Sequence, residues 1–70
     1  MIRIFKNALK TDRAFIHYDK IQHISWNYHD EGVEVKVYSN AGTIIQYITE
    51  KELSKLLDTY CKFIGVGNDE

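Results

Sequence analysis

Hydrophobic and polar residues change their period near position 49. From there on, "TEKELSKLLDTYCKFIG" places Leu53, Leu56, Leu57, Tyr60 and Ile64 on one stripe at helical spacing. Before it, apolar residues recur at every second position, the mark of half-buried strands. The spacing predicts a helix over roughly 49–64. Thr49 followed by Glu52 has the capping-box pattern, in which hydroxyl and carboxylate each satisfy a backbone N–H of the first turn. Gly65 is the expected stop, with Val66 folding back onto the last turn, and Asp58 and Lys62 form a favourable i, i+4 pair on the wet face.

Upstream, strands are predicted at about 2–6, 13–18, 21–29, 33–39 and 43–48. They are separated by "NALKTD", a bend at "DK" and the turns "DEG" and "NAG", whose glycines Gly32 and Gly42 take a positive φ easily. The expected fold is therefore α+β: an antiparallel β-meander of four to five strands with one C-terminal helix packed on one face. It forms a single small domain over residues 1–66, followed by a frayed acidic tail at 67–70.

A single helix covers only one face of a sheet, so the two faces have to be told apart. Val33, Val35 and Val37 point one way, and Glu34, Lys36 and Tyr38 the other. On 21–29 the alternatives are Ile24, Trp26 and Tyr28 against His23, Ser25, Asn27 and His29. An even-length loop, either Glu31-Gly32 or His29 to Gly32, sets Trp26 beside the valines. A three-residue loop, Asp30 to Gly32, sets it beside Lys36 and Tyr38 instead. Burying an indole is worth about 2 to 3 kcal/mol, which favours the even loop.

The second hairpin extends the same argument. If "NAG" is a three-residue loop with a bulged glycine, Val37 faces Ile45 and Val35 faces Tyr47. Tyr38, Ile44 and Ile48 then remain on the uncovered face with Glu34, Lys36 and Gln46. An apolar and aromatic patch of that kind marks an interface, unless the N-terminal strand or "NALKTD" folds over it. Both outcomes stand open at this point.

Length and composition narrow the classes of function. Seventy residues bury only about 60% of the unfolded chain's surface, so a small domain of this kind is marginal without help. Cys61 is the only cysteine, which rules out an internal disulfide, fits a reducing compartment and reads as a small buried hydrophobe. No apolar run approaches the length of a spanning helix, and "MIRIFKNALK" has no continuous apolar core of a signal peptide, so a cytoplasmic location is expected. The net charge is −1. Within it, residues 1–20 carry Arg3, Lys6, Lys10, Arg13 and Lys20 against Asp12 and Asp19, leaving an acidic remainder.

Candidate chemistry is sparse. His23 and His29 share a face but stand roughly 20 Å apart along an extended strand, too far to bind one ion. His17 would need a third ligand such as Asp19, so no metal is expected. Ser25 and His23 are about 6.6 Å apart on one strand face, without an orienting group or an oxyanion hole. The paired carboxylates Asp30-Glu31 and Asp69-Glu70 fall in a turn and the tail, and there is no glycine-rich phosphate loop. An enzyme is not expected, nor is a cofactor.

What remains is binding. The leading expectation is a non-enzymatic protein-interaction module, acting through its exposed sheet face or an edge strand, with the face built from Glu34, Lys36, Tyr38, Ile44, Gln46 and Ile48. The partner is a protein, and a homodimer through the same surface belongs to the same expectation. In size and style the chain is similar to the small, self-contained proteins carried by phages and mobile elements. Some of these block host complexes such as CRISPR effectors by occupying a binding surface, so the likeness implies an inhibitor. The alternative is a single-stranded nucleic-acid-binding sheet, with Arg3, Lys6, Arg13 and Phe15 as contacts beside exposed rings. No membrane partner is expected.

Overall fold

The structure is a computed structural model that describes residues 2–65; Met1, Val66 and the expected tail at 67–70 lie outside the described residues. In chain order the elements are β1 (Arg3–Ile4), β2 (Ala8–Lys10), β3 (Phe15–His17), a single 3-10 turn (Tyr18–Lys20), β4 (Ile21–His29), β5 (Gly32–Ser39), β6 (Gly42–Ile48) and α1 (Glu50–Ile64). The fold class is α+β and antiparallel throughout, as expected. The strands divide into two sheets, β1-β2-β3 and β4-β5-β6.

The division turns on "NALKTD", expected to be a loop, which contains β2. Ala8 and Leu9 are fully buried, and Leu9 pairs with both Ile4 and Ile16. The turn before β2 is closed by the Phe5 N–H donating to the Ala8 carbonyl. The turn after it is closed by Thr11, whose buried hydroxyl accepts from the N–H groups of Arg13 and Ala14 at 3.2 and 3.1 Å.

In the larger sheet the valines of β5 are the dry stripe. Val33, Val35 and Val37 are all essentially buried, and Leu53 and Leu56 of α1 join them in one core cluster with Ile2, Leu9, Ile16, Tyr18, Ile21 and Ile48. The helix and the small sheet thus share one layer against a single face of β4-β5-β6. Residues 2–12 do not fold over the opposite face; Ile2, Ile4 and Leu9 are spent on the valine side, while Phe5 stays exposed beside Phe15.

Helix α1 starts and stops where its sequence says. Thr49 accepts from the Glu52 N–H at 3.0 Å while its own N–H donates to the Glu52 carboxylate at 2.9 Å. Gly65, at φ +81°, ends it by donating to the carbonyls of Cys61 and Lys62. Asp58 and Lys62 pair at 3.3 Å. At the end of the helix Phe63 packs against the core ring Tyr18, while Ile64, expected on the apolar stripe, is 46% exposed.

Tyr18 is where the layers meet. Its ring makes edge-on contacts with Tyr60 and Phe63, at 5.6 and 5.5 Å between centroids. Its backbone N–H donates to the Asn7 carbonyl and its hydroxyl to the Phe5 carbonyl at 2.6 Å. One residue therefore ties the first turn of the small sheet to the start of β4 and the end of α1.

Both hairpins of the larger sheet have two-residue turns. In the first, His29 pairs with Gly32 and Trp26 with Val35, so the turn is Asp30-Glu31 and not the expected Glu31-Gly32. The register is that of the wider loop His29 to Gly32, and its even length puts Ile24, Trp26 and Tyr28 on the valine side. Burial does not follow: Trp26 is 39% and Tyr28 63% exposed, because α1 lies over β5 and the small sheet and stops short of the β4 edge. In the second hairpin Ser39 pairs with Gly42, which corrects the expected three-residue bulged loop. The Ser39 hydroxyl accepts from the Ala41 N–H and donates to the Gly42 carbonyl, fastening the shorter turn. Gly32, at φ +143°, is needed twice over, since a Cβ there would also stand 3.0 Å from the Ile48 carbonyl oxygen.

Burial raises the Tyr18 phenol above its ordinary pKa. The neutral phenol is the form the fold accommodates, so its contribution is complete below the unfolded value of about 10 and is lost as pH rises through the higher folded value. Tyr18→Phe is expected to cost about 1 kcal/mol at neutral pH through the lost hydrogen bond to Phe5. It should also flatten the decline in stability on the alkaline side, as measured by chemical denaturation across pH.

Candidate interaction surfaces

The one-residue change in the second hairpin exchanges the two faces of β6. Val37 is opposite Ile44, Val35 opposite Gln46 and Val33 opposite Ile48. Ile44, Gln46 and Ile48, expected on the uncovered face, therefore lie on the valine side, and Ile48 is only 5% exposed. Thr43, Ile45 and Tyr47 take their place outside, with Ile45 55% and Tyr47 54% exposed. The missed signal was Ser39, a hydroxyl two residues before Ala41 that can close a turn without a bulge.

The uncovered face is read row by row across the sheet. His23, Tyr38 and Thr43 form one row, Ser25, Lys36 and Ile45 the next, and Asn27, Glu34 and Tyr47 the third. Glu34, Lys36 and Tyr38 are thus where they were expected, on the central strand. Tyr38 is packed against His23 at 5.2 Å between centroids, and Tyr47 against His29 at 5.7 Å. His29 Nε2 lies 3.2 Å from the Glu34 carboxylate, an exposed contact of small energetic weight. Lys36 is half-buried and, among the described residues, forms no ion pair.

The residues expected to contact nucleic acid gather elsewhere. Arg3, Lys10 and Phe15 pair across the three strands of the small sheet and share its outer face. Phe15 packs edge-on against Phe5 at 6.2 Å and against His17 at 5.4 Å, and the Arg3 guanidinium stands 6.0 Å from the Phe5 ring centroid. Lys6 and Arg13 sit in the turns at either end of β2. Phe15 therefore does not share a platform with Tyr38, Lys36 or Trp26.

A shallow cleft of about 670 Å3 lies between the Thr11–Ala14 turn and Thr43–Tyr47 of β6. Its lining brings Asp12, Arg13 and two threonines but no histidine or cysteine. Among the described residues no group of three or more His, Cys, Asp and Glu is placed to hold a metal ion. Nor is any helix among them long and apolar enough to cross a membrane. Comparison of the chain with protein-family models, curated proteins and solved structures finds no match.

The face assignment on β6 makes opposite predictions for neighbouring residues. Ile48→Ala should cost about 2 to 4 kcal/mol as a core truncation, while Ile45→Ala should change stability by no more than about 0.5 kcal/mol. Urea denaturation midpoints of the two variants check this directly. Equal effects would mean that β6 is not held in this register.

Proposed function

We propose that the chain is a non-enzymatic protein-interaction module that binds through the uncovered face of β4-β5-β6 and acts by occluding the surface it covers. The observation that carries this reading is the stripe of Ile45 and Tyr47, two large side chains more than half exposed on the face opposite the core cluster. Large side chains held on a rigid sheet lose little conformational entropy on binding, which is why rings of this kind concentrate interface energy. Lys36 and Glu34 beside them supply charges of both signs, suited to a protein surface that combines an apolar ridge with polar groups. A cytoplasmic setting fits the single cysteine.

One specific arrangement favours a second reading on the other side of the molecule. The Arg3-Lys10-Phe15 row, with Phe5 and His17 alongside, combines cations and exposed rings in the way that single-stranded nucleic acid is held by stacking and phosphate contacts. The patch is only two to three residues deep along each strand. It offers room for few bases, so the larger face remains the leading candidate.

Affinity capture from the native host with immobilised protein, wild type beside Tyr47→Glu and Phe15→Ala, separates the two. The expected result is a defined protein partner lost at least tenfold on Tyr47→Glu and retained on Phe15→Ala. Capture of nucleic acid that weakens steeply with salt and is lost on Phe15→Ala would overturn the first reading in favour of the second.

A further inference from the structure

The free edge of β4 is unusual in what it lacks. Residues 22–29 contain no Lys, Arg, Asp, Glu or Pro, the side chains that ordinarily keep an edge strand from pairing, and the strand's register shift lies at its start, between Ile21 and His23, leaving 23–29 regular. Among the described residues their backbone hydrogen bonds within the fold go to β5 alone. The other edge, β6, is flanked by the Thr11–Ala14 turn with its Asp12 and Arg13. On the valine side of β4 stand Trp26 and Tyr28, two exposed rings that α1 leaves uncovered. We infer that β4 pairs antiparallel with β4 of a second copy, joining two three-stranded sheets into one.

Hairpin geometry fixes the register. The two-residue turn makes His29 and Gly32 a hydrogen-bonded pair, and such pairs alternate along an antiparallel ladder. Ile24, Trp26 and Tyr28 are therefore the residues whose N–H and C=O groups turn away from β5. Using all of them sets Trp26 against Trp26 on the two-fold axis and Ile24 against Tyr28 of the second copy. The apolar side chains then meet on the valine side, and Ser25 meets Asn27 on the other. Self-pairing puts like against like near the axis, so it is tolerated only by a strand without charges there. At the ends of the strand the antiparallel direction brings Lys20 towards the acidic turn Asp30-Glu31 of the second copy. A two-fold axis perpendicular to the sheet leaves both uncovered faces on the same side. The inference does not depend on what those faces bind.

Sedimentation equilibrium over a range of concentrations tests it, with Trp26→Lys and Trp26→Glu studied singly and mixed. The wild type is expected to dimerise. Each variant should keep its far-ultraviolet circular dichroism and dimerise at least tenfold more weakly, since equal charges face each other across the axis. An equimolar mixture should regain affinity at least tenfold over either variant alone, because lysine then faces glutamate. If either Trp26 variant is unfolded, Tyr28→Lys, at the more exposed ring, carries the test and should weaken the dimer with the fold intact. A wild type that stays monomeric at millimolar concentration overturns the inference, as does a mixture no tighter than its components. A dimer indifferent to Trp26 and Tyr28 but dissolved by Tyr47→Glu also overturns it, and moves self-association to the uncovered face while leaving that face's binding role standing.

Discussion

The buried valine stripe of β5 is the constraint from which the rest follows. A three-stranded sheet with one such stripe needs an apolar layer on that side and on no other, and the chain supplies it from both ends: Leu9 and Ile16 from the small sheet, Leu53 and Leu56 from the helix. Tyr18 locks the two contributions together through its hydroxyl and its edge-on ring contacts. With both segments committed to one side, the opposite face is left to solvent or to a partner. That one-sidedness is the physical basis for treating the bare face as functional.

The cover is also too narrow for its sheet. Helix and small sheet reach β5, β6 and the start of β4, where Ile21 is buried, but not the middle and end of β4, where Trp26 and Tyr28 remain exposed. A monomer therefore presents two kinds of unfinished surface, a face and an edge, and these meet at β4. Pairing through the edge would complete the apolar layer over Trp26 and at the same time double the bare face into a broader platform. Such pairing would add buried area to a domain whose small size limits what it buries alone.

Much of this was legible from the sequence, and the failures have local causes. The helix was readable because Thr49, Glu52 and Gly65 mark its ends independently of its stripe, and every mark agrees. The even parity of the first loop was assigned correctly but on a ground that fails, since the indole it was expected to bury remains 39% exposed on the valine side. β2 was missed because Ala8, Leu9 and Lys10 are too few to show a period, and only tertiary burial makes them a strand. The face of β6 was inverted because Gly42 suggested a bulge, while the hydroxyl of Ser39 favoured a turn one residue shorter. A single residue of register moves every side chain on a strand to the other face, so Ile44 and Ile48 exchanged places with Ile45 and Tyr47. The candidate surface survived this error in position but not in membership, since its central strand was assigned independently of the second hairpin.

Side-chain NMR in the presence of a soluble gadolinium chelate tests the one-sided sheet most directly. Signals of Lys36, Ile45 and Tyr47 should be strongly broadened by the chelate, while those of Val33, Val35, Val37 and Ile48 should be spared. Protection of Ile45 and Tyr47 together with broadening of Ile44 and Ile48 would contradict the account, because the chain would then cover the face it is held to leave bare.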